Sequence, residues 1–323
     1  MLNKRKQCWH FVLSVSAVFF LSDLCQATDK LCSDFDVSLQ IDRYAKNIQS
    51  KQWLSSFRQL YEKNNLGRVT PASQSRIPCI IHHIWLGSKL PAHYAQLRES
   101  WREHHPEWIF VFWTDTPANY DQGLLVSAAD LEHWLPCAAA GQQFVVDIAS
   151  FSFSNKSFYD AARNYGERAD ILRYEILYRF GGLYVDTDCA CFKPFDLLHQ
   201  CYDFYAALQP LDTGYLQIGI GILGVVPHHP VMARCVDTIK DTRDEKQIVL
   251  RTGPIFFTKN FLAVLAQGQN TWCDIVFPPT FFYPCGYTQP SADVQEWLCP
   301  ESFSAHYWEG SWLKKTARAP KKE

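Results

Sequence analysis

Asp186 and Asp188, one residue apart, follow directly on the apolar run Leu183-Tyr184-Val185 and the preceding Gly181-Gly182 pair. The run has the β-branched and aromatic character of a short buried strand. Carboxylates at the end of a core strand cost free energy unless a cation or several hydrogen bonds compensate them. Hard cations such as Mg²⁺ and Mn²⁺ take oxygen ligands and bind one or two carboxylates together with a substrate diphosphate. Ligands of open α/β sheets collect at the carboxyl ends of the strands. The pair therefore points to divalent-metal diphosphate chemistry; the plain alternative is a polar turn after a strand.

Other side chains of the right chemistry stand at a distance in sequence. Asp170 and Arg173, three apart in a helical stretch, share a face, and a carboxylate beside a guanidinium can grip sugar hydroxyls by accepting and donating. A surface ion pair is the alternative. Trp85 ends an apolar run beside Gly87, where an indole can stack a nucleobase, worth ~1–3 kcal/mol per base, or simply plug a strand end. His306 closes a short strand-like run and can complete an oxygen-rich Mn²⁺ shell through a ring nitrogen. Ser311 and Trp312 offer a hydroxyl and an indole N–H to a diphosphate. His82 and His83 point to opposite faces of one strand and read as structural. There is no Gly-x-Ser-x-Gly elbow and no Walker P-loop. Asp-x-Asp also opens the haloacid-dehalogenase phosphatase signature, with the first Asp as nucleophile, but Ala190 stands where that signature wants Thr or Val.

These residues need elements to position them. Ile80 to Trp85 reads as a core strand, Pro91 to His104 as a helix, and Trp108 to Trp113 as a second strand. A helix from about Asp160 to Phe180 leads into the strand at 183–185, with Ala169, Leu172, Ile176 and Phe180 as its core stripe. Further helices are expected near Pro230 to Asp241 and Gly253 to Ala266. This alternation predicts an α/β layered fold with parallel pairing. With 323 residues and 47% apolar content the chain can build a large core, and a net charge of −2 leaves no nucleic-acid footprint.

The N-terminus begins with the basic Lys4-Arg5-Lys6 and the apolar stretch Phe11 to Leu21, with a small-x-small site at Cys25-Gln26-Ala27. Residues 1–27 read as a signal peptide or, uncleaved, a short signal-anchor that would associate the chain with a membrane. Either sends the remainder through the secretory route, into a lumen or out of a bacterium toward a host. Residues 28–76 read as amphipathic helices followed by a linker, 77–313 as the main domain and 314–323 as a basic tail. Cleavage would leave an even number of cysteines, which in an exported chain permits disulfides of unassigned connectivity. Asn155-Lys156-Ser157 matches a glycosylation sequon.

Taken together, the segments resemble the DXD-type sugar transferases of glycosyltransferase family 32, a group related to the clostridial glucosylating toxins. The resemblance runs from Ile77 to about Trp312. It rests on Ile77-Pro78 through His82-x-Ile84-Trp85-Leu86-Gly87, on Ser100-Trp101, His105-Pro106-x-Trp108 and Trp113-Thr114-Asp115, and most specifically on Ala169 to Tyr174 with Gly181 to Asp188. His229-Pro230, Thr252-Gly253-Pro254 and His306 to Trp312 agree in order. The resemblance implies a GT-A fold with a mixed, mostly parallel sheet flanked by helices. It implies a retaining transferase that uses a nucleotide-sugar donor, Mn²⁺ or Mg²⁺, and a glycan, lipid or protein acceptor. Carried over by position, Trp85 would stack the base. Asp170 and Arg173 would hold the donor sugar, Asp186 would contact ribose or sugar, and Asp188 would bind the metal. His306, Ser311 and Trp312 would close on the diphosphate. The family often has a polar residue, commonly Asn, shortly before His-Pro. Here Ile218 to Leu223 is aliphatic and glycine-rich, with Gln217 the nearest polar side chain, so the acceptor side stays unassigned. A non-catalytic binding descendant is the competing reading.

Overall fold

The computed structural model describes residues 34–44, 50–268, 271–288 and 291–311. The signal-like N-terminus, Trp312 and the basic tail lie outside them. The described strands are β1 (Ile80–Trp85), β2 (Ile109–Thr114), β3 (Leu124–Val126), β4 (Gln143–Asp147), β5 (Gly182–Val185), β6 (Cys189–Cys191), β7 (Phe204–Ala207), β8 (Ile222–Val225), β9 (Asp274–Phe277) and β10 (Ser304–His306). Eight form one sheet in the order β3-β4-β2-β1-β5-β8-β7-β9, while β10 and β6 make a small second sheet. Every pair in the large sheet is parallel except those made by β8, which runs against both β5 and β7. This is the expected mixed, mostly parallel α/β sheet. Its central strands are buried along nearly their whole length, as strands covered by helices on both faces must be.

The principal helices are α1 (Leu54–Asn64), α2 (Ala92–His104), α3 (Tyr165–Phe180), α4 (Pro230–Thr238) and α5 (Pro254–Leu265). α1 buries Phe57, Leu60 and Tyr61 in the common core, and Asn64 Nδ2 donates to the Asp274 carbonyl at 2.8 Å. The stretch read as a linker is fastened down: the Ala72 and Arg76 N–H groups donate to the Gln200 and His199 carbonyls at 3.0 and 2.8 Å. Segment Ile248–Leu265 has the mean hydropathy of a membrane span, 1.3. It is a core element, with Phe256, Phe257 and Phe261 buried.

α3 starts at Tyr165, later than the spacing predicts. The Asn164 side chain accepts the Glu167 N–H at 2.9 Å, and Glu167 Oε2 accepts the Arg163 N–H at 2.8 Å. That reciprocal cap fixes the start and leaves Lys156–Asp160 as a separate helical turn. At the other end Gly181 takes φ +62° and Gly182 φ +92°. A Cβ on Gly182 would lie 2.7 Å from the Ile80 carbonyl oxygen. The glycine pair thus lets the chain leave α3 and enter β5 hard against β1.

Asn155 is buried, and both its N–H and Nδ2 donate to Glu175 Oε1 at 2.8 Å, with Nδ2 also donating to the Val236 carbonyl. The sequon reading is corrected: this asparagine is an internal tie, not a glycan acceptor. Among the described residues no disulfide forms; Cys189, Cys191, Cys201, Cys235 and Cys285 are buried free thiols. His82 and His83 are fully buried on opposite faces. His82 Nε2 bonds to the Gly181 carbonyl at 3.0 Å, and His83 Nδ1 to the Val185 carbonyl at 2.9 Å.

Candidate active site

Because β8 alone runs against its neighbours, the carboxyl ends of β1, β5 and β7 share one edge of the sheet with the amino end of β8. A cavity of about 650 Å³ opens there, within the range of small-ligand sites. Trp85, Asp170, Arg173, Asp186, Asp188, His306 and Ser311 all line it. Of the residues singled out for chemistry only Trp312 is not placed, since it lies outside the described residues.

Arg173 is the hub. Its Nη2 lies 3.0 Å from Asp170 Oδ1 and 3.3 Å from Asp186 Oδ1, and Nη1 donates to the Ile220 carbonyl at 2.6 Å. The guanidinium sits 4.4 Å above the Tyr184 ring. Asp170 and Arg173 are both buried, so the surface ion-pair alternative does not hold. Asp170 Oδ2 accepts the Thr252 hydroxyl at 2.8 Å, and the Thr252 carbonyl in turn accepts the Tyr174 hydroxyl at 2.6 Å. Burial pushes the Asp170 carboxyl up to about 7 despite Arg173. Burial also works against the charge on Asp186, but Arg173 and His306 outweigh it and hold that carboxyl down at about 2. The single guanidinium therefore neutralises Asp186 first, and Asp170 is the carboxyl that carries a proton near neutrality. Tyr184 O–H donates to Asp186 Oδ1 at 2.7 Å, and the Asp186 N–H donates to the Gly221 carbonyl at 2.7 Å.

The second sheet brings His306 to the aspartates. β10 pairs antiparallel with β6 so that His306 faces Cys189, the residue after Asp188. His306 Nε2 ends 3.1 Å from Asp188 Oδ1 and 3.7 Å from Asp186 Oδ2. Burial opposes a charge on the imidazole, but Asp188 and Asp186 push it up to about 10. The proton held between ring and carboxylates is the one a cation would replace. Asp188, His306 and Cys189 offer ligand atoms within 4.8 Å of one another. Burial pushes the Cys189 thiol well above its ordinary range. The carboxylate oxygens and the imidazole nitrogen fit a divalent cation.

The walls are set by the same elements. Trp85 packs on Tyr94 with ring centroids 5.0 Å apart, and its Nε1 donates to Ser88 Oγ at 3.2 Å. Tyr94 O–H donates to Glu309 Oε2 at 2.7 Å, and the Glu309 N–H donates to Asp188 Oδ2 at 3.0 Å. The segment after β10 is thereby drawn across the carboxylates, carrying Ser311 to the cavity. Sequence reasoning did not single out Tyr184, Thr252, Gly221 or Glu309. Tyr184 was findable, since residues two apart on a strand share a face. Gly221 had a signal in the glycine-rich run. Thr252 and Glu309 stand in segments that carry the resemblance, but their contacts with Asp170 and Asp188 arise by long-range packing.

The model of the glycosyltransferase sugar-binding region containing a DXD motif matches residues 91–205. Inositol phosphoceramide mannosyltransferase 2 of Schizosaccharomyces pombe is 22% identical over 252 residues, 76% of this chain and 63% of its own. A mannosyl phosphorylinositol ceramide synthase of Saccharomyces cerevisiae is 25% identical over 273 residues, 82% of this chain and 55% of its own. The chain thus spans roughly three-fifths of the length of these curated relatives. Among solved structures, the PaToxG glycosyltransferase aligns with a TM-score of 0.49 at 19% identity, covering 71% of this chain and 82% of its own. Residues 91–205 thus match the DXD-containing sugar-binding region of glycosyltransferases, and the chain is similar in sequence to fungal mannosyltransferases.

Proposed function

We propose that the protein is a metal-dependent, retaining glycosyltransferase that moves a sugar from a nucleotide-sugar donor to a glycan, lipid or protein acceptor. The observation that carries this is the convergence of Asp170, Arg173, Asp186, Asp188 and His306 on one cavity at the carboxyl edge of the sheet. The resemblance to family 32 supports the same reading. In it Trp85 stacks the base, and Asp170, Arg173 and Asp186 orient the donor sugar. Ser311 and Trp312 close on the diphosphate. Glycosyl transfer passes through an oxocarbenium-like transition state. Asp188 and His306 would hold Mn²⁺ or Mg²⁺, whose positive charge would stabilise the departing diphosphate. Arg173 keeps Asp186 ionised and fixed, while Asp170, tied to Arg173 and Thr252, orients the donor sugar. No dedicated base is assigned; in this reading the leaving phosphate takes the acceptor proton. The basic-then-apolar N-terminus supports work in the secretory route or after export.

A phosphoester hydrolase with Asp186 as nucleophile is disfavoured by Ala190, which stands where the phosphatase signature wants Thr or Val. The test is incubation of the purified protein with a panel of nucleotide sugars and Mn²⁺, GDP-mannose included because the fungal relatives are mannosyltransferases. Metal-dependent release of nucleoside diphosphate and free sugar is expected. Metal-dependent nucleotide binding with no turnover would favour a non-catalytic descendant, and neither binding nor turnover would sink the assignment.

A further inference from the structure

The wall of the cavity beyond the carboxylates has no role in the reading so far. It is built by the connection between β7 and β8, residues 208–221. Across the sheet the edge runs from Trp85 at the end of β1, to Asp186 after β5, to Gly221 before β8, to Gln209 after β7. If the transferase reading holds, a donor lying from Trp85 to the Asp170–Arg173–Asp186 cluster covers the first half of that edge. Its sugar then faces the β7–β8 wall.

That wall holds polar atoms without a protein partner. Gln217 Oε1 and Thr213 Oγ1 are both withdrawn from bulk solvent and accept no hydrogen bond, yet both residues line the cavity. Gln217 is only 5% exposed, and native interiors rarely leave such acceptors unused. Gln217 Nε2 donates to Gln209 Oε1 at 2.6 Å. Exchanging oxygen and nitrogen in both amides changes nothing essential, since two amides joined by one N–H···O bond always retain one carbonyl oxygen and spare amide hydrogens. The connection is held in place rather than loose. The Gln209 N–H donates to the Gln217 carbonyl at 2.9 Å, and the Ile218 N–H donates to Thr258 Oγ1 at 2.8 Å. Asp212 Oδ2 accepts the N–H and hydroxyl of Thr288 at 2.7 and 2.9 Å. Beside Thr288, Tyr287 is half exposed and lines the same cavity, offering a ring face of the kind that packs on a pyranose. Among the described lining residues Arg173 is the single Lys or Arg, and it is committed to its carboxylates. The wall therefore suits neutral hydroxyls, not a phosphate or carboxylate.

We propose that residues 209–217 form the acceptor subsite, and that Gln217 and Thr213 bind hydroxyls of a neutral polyhydroxylated ring, a hexose or a cyclitol. Gln209 is the positioning residue, holding the Gln217 amide in place.

The test uses the full chain with whichever nucleotide sugar it hydrolyses, and methyl α-mannopyranoside and myo-inositol as acceptor probes. Gln217→Leu and Thr213→Val are each measured for donor hydrolysis without acceptor and for transfer to the probe. Donor hydrolysis and nucleotide affinity are expected to stay at the wild-type level while the acceptor KM rises about tenfold in each variant, the loss of roughly one hydrogen bond. Thr213→Ser, which keeps the hydroxyl, is expected to restore the acceptor KM. An unchanged acceptor KM in both variants overturns the proposal. So does a parallel fall in donor hydrolysis in a folded Thr213→Val protein, which would give the wall to the donor sugar. A wild type that hydrolyses donor but transfers to neither probe also overturns it. A wild type that hydrolyses no donor overturns the transferase reading itself, and the subsite with it.

Discussion

Gly221 should matter to catalysis although it has no side chain. A Cβ built on it lies 2.8 Å from Asp186 Oδ2 and 3.4 Å from its Cγ, with His306 Cδ2 at 3.5 Å. Ordinary contact begins near 3.4 Å, so Gly221→Ala must push the carboxylate away by about half an ångström. Asp186 is gripped from the other side by Tyr184 O–H at 2.7 Å and Arg173 at 3.3 Å. It cannot retreat without loosening both. A misplacement of ~1 Å at a reacting centre costs on the order of 10²-fold, so about tenfold is expected here. Because the backbone at Gly221 lies outside the left-handed region, alanine adds no φ strain, and the fold should lose less than about 1 kcal/mol. Donor hydrolysis under saturating Mn²⁺, measured beside thermal melts, separates the two effects. Full turnover in a folded Gly221→Ala protein would show that the placement of Asp186 Oδ2 is not critical, and would refute the reasoning.

Arg173→Met should be the harsher change, leaving the buried Asp170 and the partly buried Asp186 without their guanidinium. About 3–5 kcal/mol of stability should be lost, and a urea titration indistinguishable from wild type would contradict that. Stability should also respond to Asp170. The native carboxyl keeps its proton up to about 7, whereas an unfolded aspartate releases it near ~3.9. The native state therefore binds more protons across that window, and stability falls as pH rises through it. Asp170→Asn should flatten this slope in melts taken across the same range, and an unchanged slope would place its origin elsewhere.

The sheet-forming segments were legible because β2 and β5 are almost wholly apolar and β1 is apolar but for His82 and His83, as strands buried on both faces tend to be. The Asp170–Arg173 pair was legible from helical spacing, but its burial was not. Burial follows from Gly181 and Gly182, which fold β5 back so closely that Arg173 lies over Tyr184 and reaches Asp186. His306 could be tied to Asp188 only by resemblance. The geometric cause is a three-residue pairing of β6 with β10, and strands that short leave no periodic trace. The sequon at Asn155 misled for the opposite reason. Its local pattern is genuine, while the partners that consume the amide, Glu175 and Val236, lie on α3 and α4.

The central claim is that Asp188 holds a cation against the donor diphosphate. Its Oδ1 faces His306 Nε2 at 3.1 Å, and its Oδ2 accepts the Glu309 N–H at 3.0 Å. Asp188→Asn keeps the size and removes the charge. Metal-dependent donor hydrolysis should fall on the order of 10²–10³-fold, while the melting temperature without metal falls modestly, because His306 loses one of the carboxylates that hold its proton. Near-normal turnover by a folded Asp188→Asn protein at saturating Mn²⁺ would reduce the paired aspartates to a turn and contradict the account.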